Sequence, residues 1–142
     1  MGQALILETT FLIDLEREFA RASAGRAQEF LERHPSDRLF ITPTIAGELA
    51  AGLSLHERQR WEEFVAPFRI LPHTRDVSWE YGCTFRYLHG SGQRIGGNDL
   101  WIAAAALAYD MPVVTRNVRD YRRVPRLRII EYVKPQTRPV PG

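Results

Sequence analysis

The sequence predicts an α/β fold of three layers, α/β/α, with helices on either side of a central, mostly parallel sheet of about five strands. Two observations predict it. Short continuous apolar runs of strand length recur along the chain, and segments with apolar residues at helical spacing lie between them. A third observation bounds the size. The chain has 142 residues, enough for one domain of ordinary dimensions and too few for two.

Ala4-Leu5-Ile6-Leu7 reads as a buried first strand. Thr9 or Thr10 is placed to cap the helix that follows, whose apolar positions are Phe11, Leu12 and Leu15. A second helix is expected over 24–33, ended by His34-Pro35-Ser36-Asp37. Leu39-Phe40-Ile41 is the second strand, and Thr42-Pro43 opens a helix with Ile45, Leu49 and Leu53 on one face. Ser54 and Glu57 form an S-x-x-E capping box for a helix facing inward through Trp61, Phe64 and Val65. Arg69-Ile70-Leu71 reads as a third strand and 76–89 as a helix. A polar, glycine-rich loop covers 90–97, and the Ala-rich stretch 99–109 is strongly helical. Pro112-Val113-Val114-Thr115 and 127–132 supply the last two strands. The proline-rich end, 134–142, is set apart as a tail from the domain at 1–133.

Composition excludes several classes. Hydrophobic residues make up 44% and charged residues 25%, as in a globular protein. The longest uncharged apolar run, Leu100 to Tyr109, is half the length of a membrane span. Glu8 and Asp14 interrupt the apolar N-terminal stretch, which has no basic head, so no secretory signal is expected. The single cysteine, Cys83, allows neither an intramolecular disulfide nor a cysteine zinc site. A cytoplasmic chain is the expectation. Nineteen basic residues face seventeen acidic ones. From Arg116 onward, however, eight basic residues face only two acidic ones, and that segregation suits a polyanion partner.

In parallel α/β sheets, ligands bind beyond the carboxyl ends of the strands. Glu8 directly follows the first strand. Thr115 closes the fourth, and Arg116, Asn117 and Asp120 come next. Both strands should be central, because their apolar runs are the most continuous. Two more acids lie in apolar helical stretches, Glu48 in Ile45-Ala46-Gly47-Glu48-Leu49 and Asp99 at the start of Asp99-Leu100-Trp101-Ile102-Ala103. An acid in such a stretch is costly to bury unless paired or metal-bound. Each also has a plainer role open to it: Glu48 as a solvent-facing or arginine-paired acid, Asp99 as a helix cap, Glu8 as a loop acid, Asn117 as a turn former.

As an ordered set these segments resemble the PIN-domain family of metal-dependent nucleases, most closely the VapC-type toxins of prokaryotic toxin–antitoxin pairs. The residues that carry the likeness are 5–15, 41–49, Ile95-Gly96-Gly97-Asn98-Asp99-Leu100-Trp101-Ile102-Ala103-Ala104, Val113-Val114-Thr115-Arg116-Asn117-Val118-Arg119-Asp120-Tyr121 and 124–128. The resemblance implies that Glu8, Glu48 and Asp99 hold Mg²⁺ or Mn²⁺, with Asn117 or Asp120 supplying a fourth polar group. The resemblance also implies that Thr115 orients a carboxylate or water through its hydroxyl and is counted, with Arg116, Arg119, Arg122 and Arg123, among the substrate-binding groups. It further implies an RNA substrate cut to leave a 5′-phosphate and a 3′-hydroxyl, a VapB-type antitoxin as partner, and a homodimer. The oxygen-only donor set agrees with a hard cation that activates water and polarises phosphate.

One position departs from the family pattern. Glu8 stands where aspartate is usual, and its extra methylene shifts a ligand in a site that needs near-ideal octahedral geometry. That favours a competing reading, an attenuated or non-catalytic PIN module that binds RNA or antitoxin without efficient cleavage. Aspartyl-phosphate enzymes on similar sheets require an aspartate at this position, and a dinucleotide fold requires glycines after the first strand; neither is present.

Overall fold

The computed structural model describes residues 2–133. The tail expected at 134–142 lies outside the described residues. Among the described residues, five strands form one sheet: β1 (Ala4–Leu7), β2 (Arg38–Ile41), β3 (Arg69–Ile70), β4 (Val113–Thr115) and β5 (Ile129–Glu131). Their order is β3-β2-β1-β4-β5 and every pairing is parallel. Leu5, Ile6 and Leu7 have no exposure at all, because β1 is central and covered on both faces. The chain winds outward from β1 to β3, then returns to β4 on the other side of β1. The carboxyl ends of β1 and β4 therefore flank the point where the winding reverses, and a crevice opens there.

Among the described residues, seven α-helices flank the sheet: α1 (Thr9–Ala20), α2 (Arg26–Arg33), α3 (Pro43–Ala51), α4 (Arg58–Val65), α5 (Arg75–Gly90), α6 (Gly97–Tyr109) and α7 (Val118–Tyr121). None of the described helices is long and apolar enough to cross a membrane. α6 is buried along most of its length through Leu100, Ile102 and Ala103–Ala106. The small alanine side chains let α5 approach closely, with Val77 packed against Ala104 and Ala105. Beside this contact, Tyr81 of α5 stacks on Trp101 with ring centroids 3.7 Å apart.

Local sequence decides most boundaries. Thr42 caps α3 by accepting a hydrogen bond from the Ile45 amide, with Pro43 in the first turn, as expected. α2 begins at Arg26, later than residue 24, because its N-terminus is capped from a distance. The buried Glu18 carboxylate of α1 accepts hydrogen bonds from the amides of Gly25, Ala27 and Gln28 at 2.8, 3.0 and 3.0 Å. Gly25 is the residue that fits there, since a Cβ at that position would sit 2.9 Å from the Glu18 carboxylate.

Three local expectations fail. Leu53 does not share the inward face of α3, which ends at Ala51; it lies in a short 3₁₀ turn and is 92% exposed. Ser54 and Glu57 form no capping box, because Ser54 belongs to that same turn and Glu57 is an N-cap without a side-chain bond. The third and fifth strands are also shorter than the apolar runs that suggested them, since edge strands pair on one side only.

Candidate active site

Glu8 sits where β1 passes into α1, and it is the N-cap of that helix in place of Thr9 or Thr10. Its Oε2 accepts three hydrogen bonds, from the Thr10 amide at 2.8 Å, the Thr10 hydroxyl at 2.6 Å and the Thr115 hydroxyl at 3.0 Å. The carboxylate is only 2% exposed. Burial raises its pKa above the ordinary value, and the bonds from Thr10 and Thr115 counter only part of that rise. Oε1 is the less engaged oxygen, 3.4 Å from the Tyr121 hydroxyl.

Glu48 reaches the same crevice from α3. It accepts from the Thr9 hydroxyl at 2.6 Å and from the Asn98 side-chain amide at 3.4 Å. Asp99 lies in the first turn of α6, where the helix dipole favours an anion. Its Oδ1 accepts from the Tyr121 hydroxyl at 3.1 Å. Burial raises the Asp99 pKa; the Tyr121 bond opposes that rise, and the charges of Glu48 and Asp120 add to it. Asp120 is held by the Asn117 side-chain amide at 3.2 Å. Glu8, Glu48, Asp99, Asn117 and Asp120 are thus brought to one region from four separate parts of the chain.

The expected substrate contacts divide. Thr115 is fully buried and has no surface for RNA. Its hydroxyl donates to Glu8 and accepts from the Asn117 amide at 2.9 Å, so it orients the site from below. Arg116 is paired with Asp14 at 3.1 Å. Arg123 is paired with Asp120 and donates to the Arg94 carbonyl at 2.7 Å. Arg119 and Arg122 are exposed and form no ion pair among the described residues, which leaves them the better candidates for a phosphate backbone. Pairing of Arg126 with Glu80 and Arg128 with Asp110 further reduces the basic surface that the linear count suggested.

Sequence reasoning missed Thr9, Thr10, Asn98 and above all Tyr121. The two threonines and Asn98 adjoin identified acids, so neighbourhood alone was a usable signal. Tyr121 had none, because its partner Asp99 is 22 residues away. Its hydroxyl stays protonated, since burial and then the charges of Glu8 and Asp99 push its pKa far up.

Thr115→Val keeps the shape of the buried side chain and deletes its hydrogen bonds with Glu8, the Asn117 amide and the Thr10 hydroxyl. We expect a loss of about 2–3 kcal/mol, because Glu8 and the Asn117 amide are left short of a partner. Urea denaturation checks it, and an unchanged midpoint would contradict this role.

A hard divalent cation fits the chemistry of these donors. All are oxygens, most are anionic, and the mutual repulsion felt at Asp99 is what a cation removes. As placed, no three Asp, Glu, His or Cys side chains among the described residues converge on one ion. Magnesium does not require that, since it is commonly held by one or two carboxylates and water.

Fold and site together define a class, and residues 5–127 match the PIN domain. The chain belongs to the PIN-domain family. Within it, Ribonuclease VapC of Rickettsia bellii is 29% identical over 134 residues, covering 89% of this chain and 94% of that protein. Ribonuclease VapC1 of Haemophilus influenzae (strain R2866) is 28% identical over 136 residues, covering 91% and 98%. Among solved structures, VapBC-1 from nontypeable Haemophilus influenzae aligns with a TM-score of 0.76 at 26% identity, covering 92% of this chain and 99% of that one. The fold also matches VapBC2 from Rickettsia felis bound to a promoter DNA fragment, with a TM-score of 0.77 at 21% identity, over 91% and 98%.

Proposed function

We propose that this chain is a metal-dependent endoribonuclease, the toxin of a VapBC-type toxin–antitoxin pair. The observation that carries the reading is the gathering of Glu8, Glu48, Asp99 and Asp120 at the β1/β4 crevice of a fold shared with VapC ribonucleases. Asp99 and Glu48 would hold Mg²⁺ or Mn²⁺, with Glu8 contributing through Oε1 and Asp120, braced by Asn117, acting through water. The cation, when bound, supplies an activated water and neutralises charge on the phosphate oxygens. The chain's own part is to hold these oxygens still. Thr9 and Asn98 fix Glu48, Thr10 and Thr115 fix Glu8, and Tyr121 fixes Asp99. Arg119 and Arg122, exposed and without an ion pair among the described residues, would contact the RNA backbone.

The VapBC complexes support an antitoxin partner. We place it in a groove of about 500 Å³ between α1 and α4, lined by Leu15, Phe19, Leu31, Phe64 and Phe68. Phe19 is 55% exposed at its edge, an apolar surface suited to a partner helix. A homodimer completes the assembly we expect.

The competing reading is a PIN module that binds without cutting. The three donors on Glu8 Oε2 favour it, because they leave that oxygen little capacity for an ion. Cleavage of single-stranded RNA with Mn²⁺ decides between them. Activity that EDTA abolishes supports the nuclease. Mn²⁺ binding without cleavage, across a panel of RNA sequences and hairpins, supports the binding module.

A further inference from the structure

Tyr121 is the largest fully buried side chain among the described residues. It ends α7, a helix of four residues directly after β4, and its ring belongs to the main hydrophobic core. Packing alone would be served by phenylalanine, since burying a hydroxyl costs free energy unless it is hydrogen-bonded. This hydroxyl emerges from the core between two acids, 3.1 Å from Asp99 Oδ1 and 3.4 Å from Glu8 Oε1.

We propose that Tyr121 is a positioning residue of the active site, which sets the Asp99 carboxylate for metal binding and is matched to a glutamate at position 8. This inference rests on the nuclease reading above. The hydroxyl has one proton, shared unequally: the shorter contact makes Asp99 Oδ1 its main acceptor and Glu8 Oε1 a secondary one. Tethering Oδ1 fixes the rotamer of Asp99 and leaves Oδ2 without a side-chain donor among the described residues. The ring is immobilised by the core, so the tether is rigid. Position 8 enters through length. Shortening Glu8 to aspartate withdraws the carboxylate by about 1.5 Å, one carbon–carbon bond, and removes it from the reach of Tyr121. The glutamate is then not a damaged ligand; its extra methylene brings Oε1 to the same hydroxyl that holds Asp99. Groups that orient metal ligands in this way typically change metal affinity by about 10–100-fold when removed.

The test compares the full-length parent chain with Tyr121→Phe, Tyr121→Leu, Glu8→Asp, Asp99→Asn and the Glu8→Asp/Tyr121→Phe pair. Mn²⁺ affinity is read by electron paramagnetic resonance, and RNA cleavage is read as kcat and KM separately. Tyr121→Phe keeps the packing, so its unfolding transition should stay near the parent's while Tyr121→Leu unfolds earlier. The expected result is about tenfold weaker Mn²⁺ binding in Tyr121→Phe, with the loss of cleavage in kcat rather than KM. The pair should cost less than the sum of its single changes, as coupled groups do. Parental Mn²⁺ affinity in Tyr121→Phe, with Asp99→Asn clearly weakened, overturns the role of Tyr121 and leaves the nuclease reading intact. Strict additivity in the pair overturns the matching to Glu8. A parent chain that binds no Mn²⁺ and loses nothing in Asp99→Asn overturns the metal reading itself, and the inference with it.

Discussion

Asp99→Asn is expected to lower RNA cleavage by about 10³-fold, or about 4 kcal/mol of transition-state stabilisation. The side chain keeps its size and still accepts from Tyr121, so geometry is preserved while the charge is lost. Glu48→Gln and Asp120→Asn should cost less, because Glu48 has a wider set of supports and Asp120, in the reading proposed above, would act through water. The same substitution should raise stability in metal-free buffer. The folded pKa of Asp99 lies above its ordinary value, so the folded state holds the proton more tightly than the unfolded chain. Stability therefore falls as pH rises from the ordinary carboxylate value through the folded one, and the penalty is fully present above the folded value. Asparagine removes it. A thermal melt at pH 7 without metal should show Asp99→Asn unfolding above the parent, and addition of Mn²⁺ should stabilise the parent selectively. An inactive variant that melts far below the parent would instead mark Asp99 as a structural acid.

Glu18→Ala is expected to be the most damaging change outside the site, at about 3 kcal/mol. Glu18 is 3% exposed and satisfies three amides at the start of α2, so its removal leaves several backbone donors buried and unpaired. For a chain of this length the melting temperature should drop by about 6–12 °C. Burial alone would raise the Glu18 pKa, but the amides of Gln28, Ala27 and Gly25 outweigh it and the net shift is downward. The sign is opposite to that of Asp99. Its contribution is complete above the ordinary carboxylate pKa and is lost as pH falls through the lower folded value. Between pH 5 and 3 the parent should therefore lose more stability than Glu18→Ala. Parallel curves for the two proteins would show that the carboxylate does not cap α2.

Much of this could be read in one dimension. Apolar runs identify β1, β2 and β4, and the prediction that the first and fourth strands are central holds because both are buried on both faces. The Thr42-Pro43 start of α3 follows from local capping chemistry alone. Glu48 and Asp99 stood out because an acid in an apolar helical stretch is costly, and Glu8 and Asp120 because they follow the carboxyl ends of the first and fourth strands; both signals depend on sequence neighbours. Leu53 and the Ser54–Glu57 pattern misled for the converse reason. Both match a helical period, but Gly52 follows the end of α3 and a 3₁₀ turn replaces the next one.

What the sequence by itself determined is the alternation of strands and helices and the residue types that gather at the strand ends. Periodicity and capping are local, and they act through neighbours a few positions apart. Only the tertiary structure decided what those residues do. It spends Thr115 on Glu8 and Asn117, ties Arg116 and Arg123 to acids, caps α2 with a carboxylate from α1, and brings the Tyr121 hydroxyl to Asp99. Apart from the short-range Thr115–Asn117 and Arg123–Asp120 contacts, each of these depends on side-chain direction and on a partner brought close by the fold, and a hydrogen bond is decided within a few tenths of an ångström. No spacing along the chain encodes a distance at that scale between residues 7 to 113 positions apart.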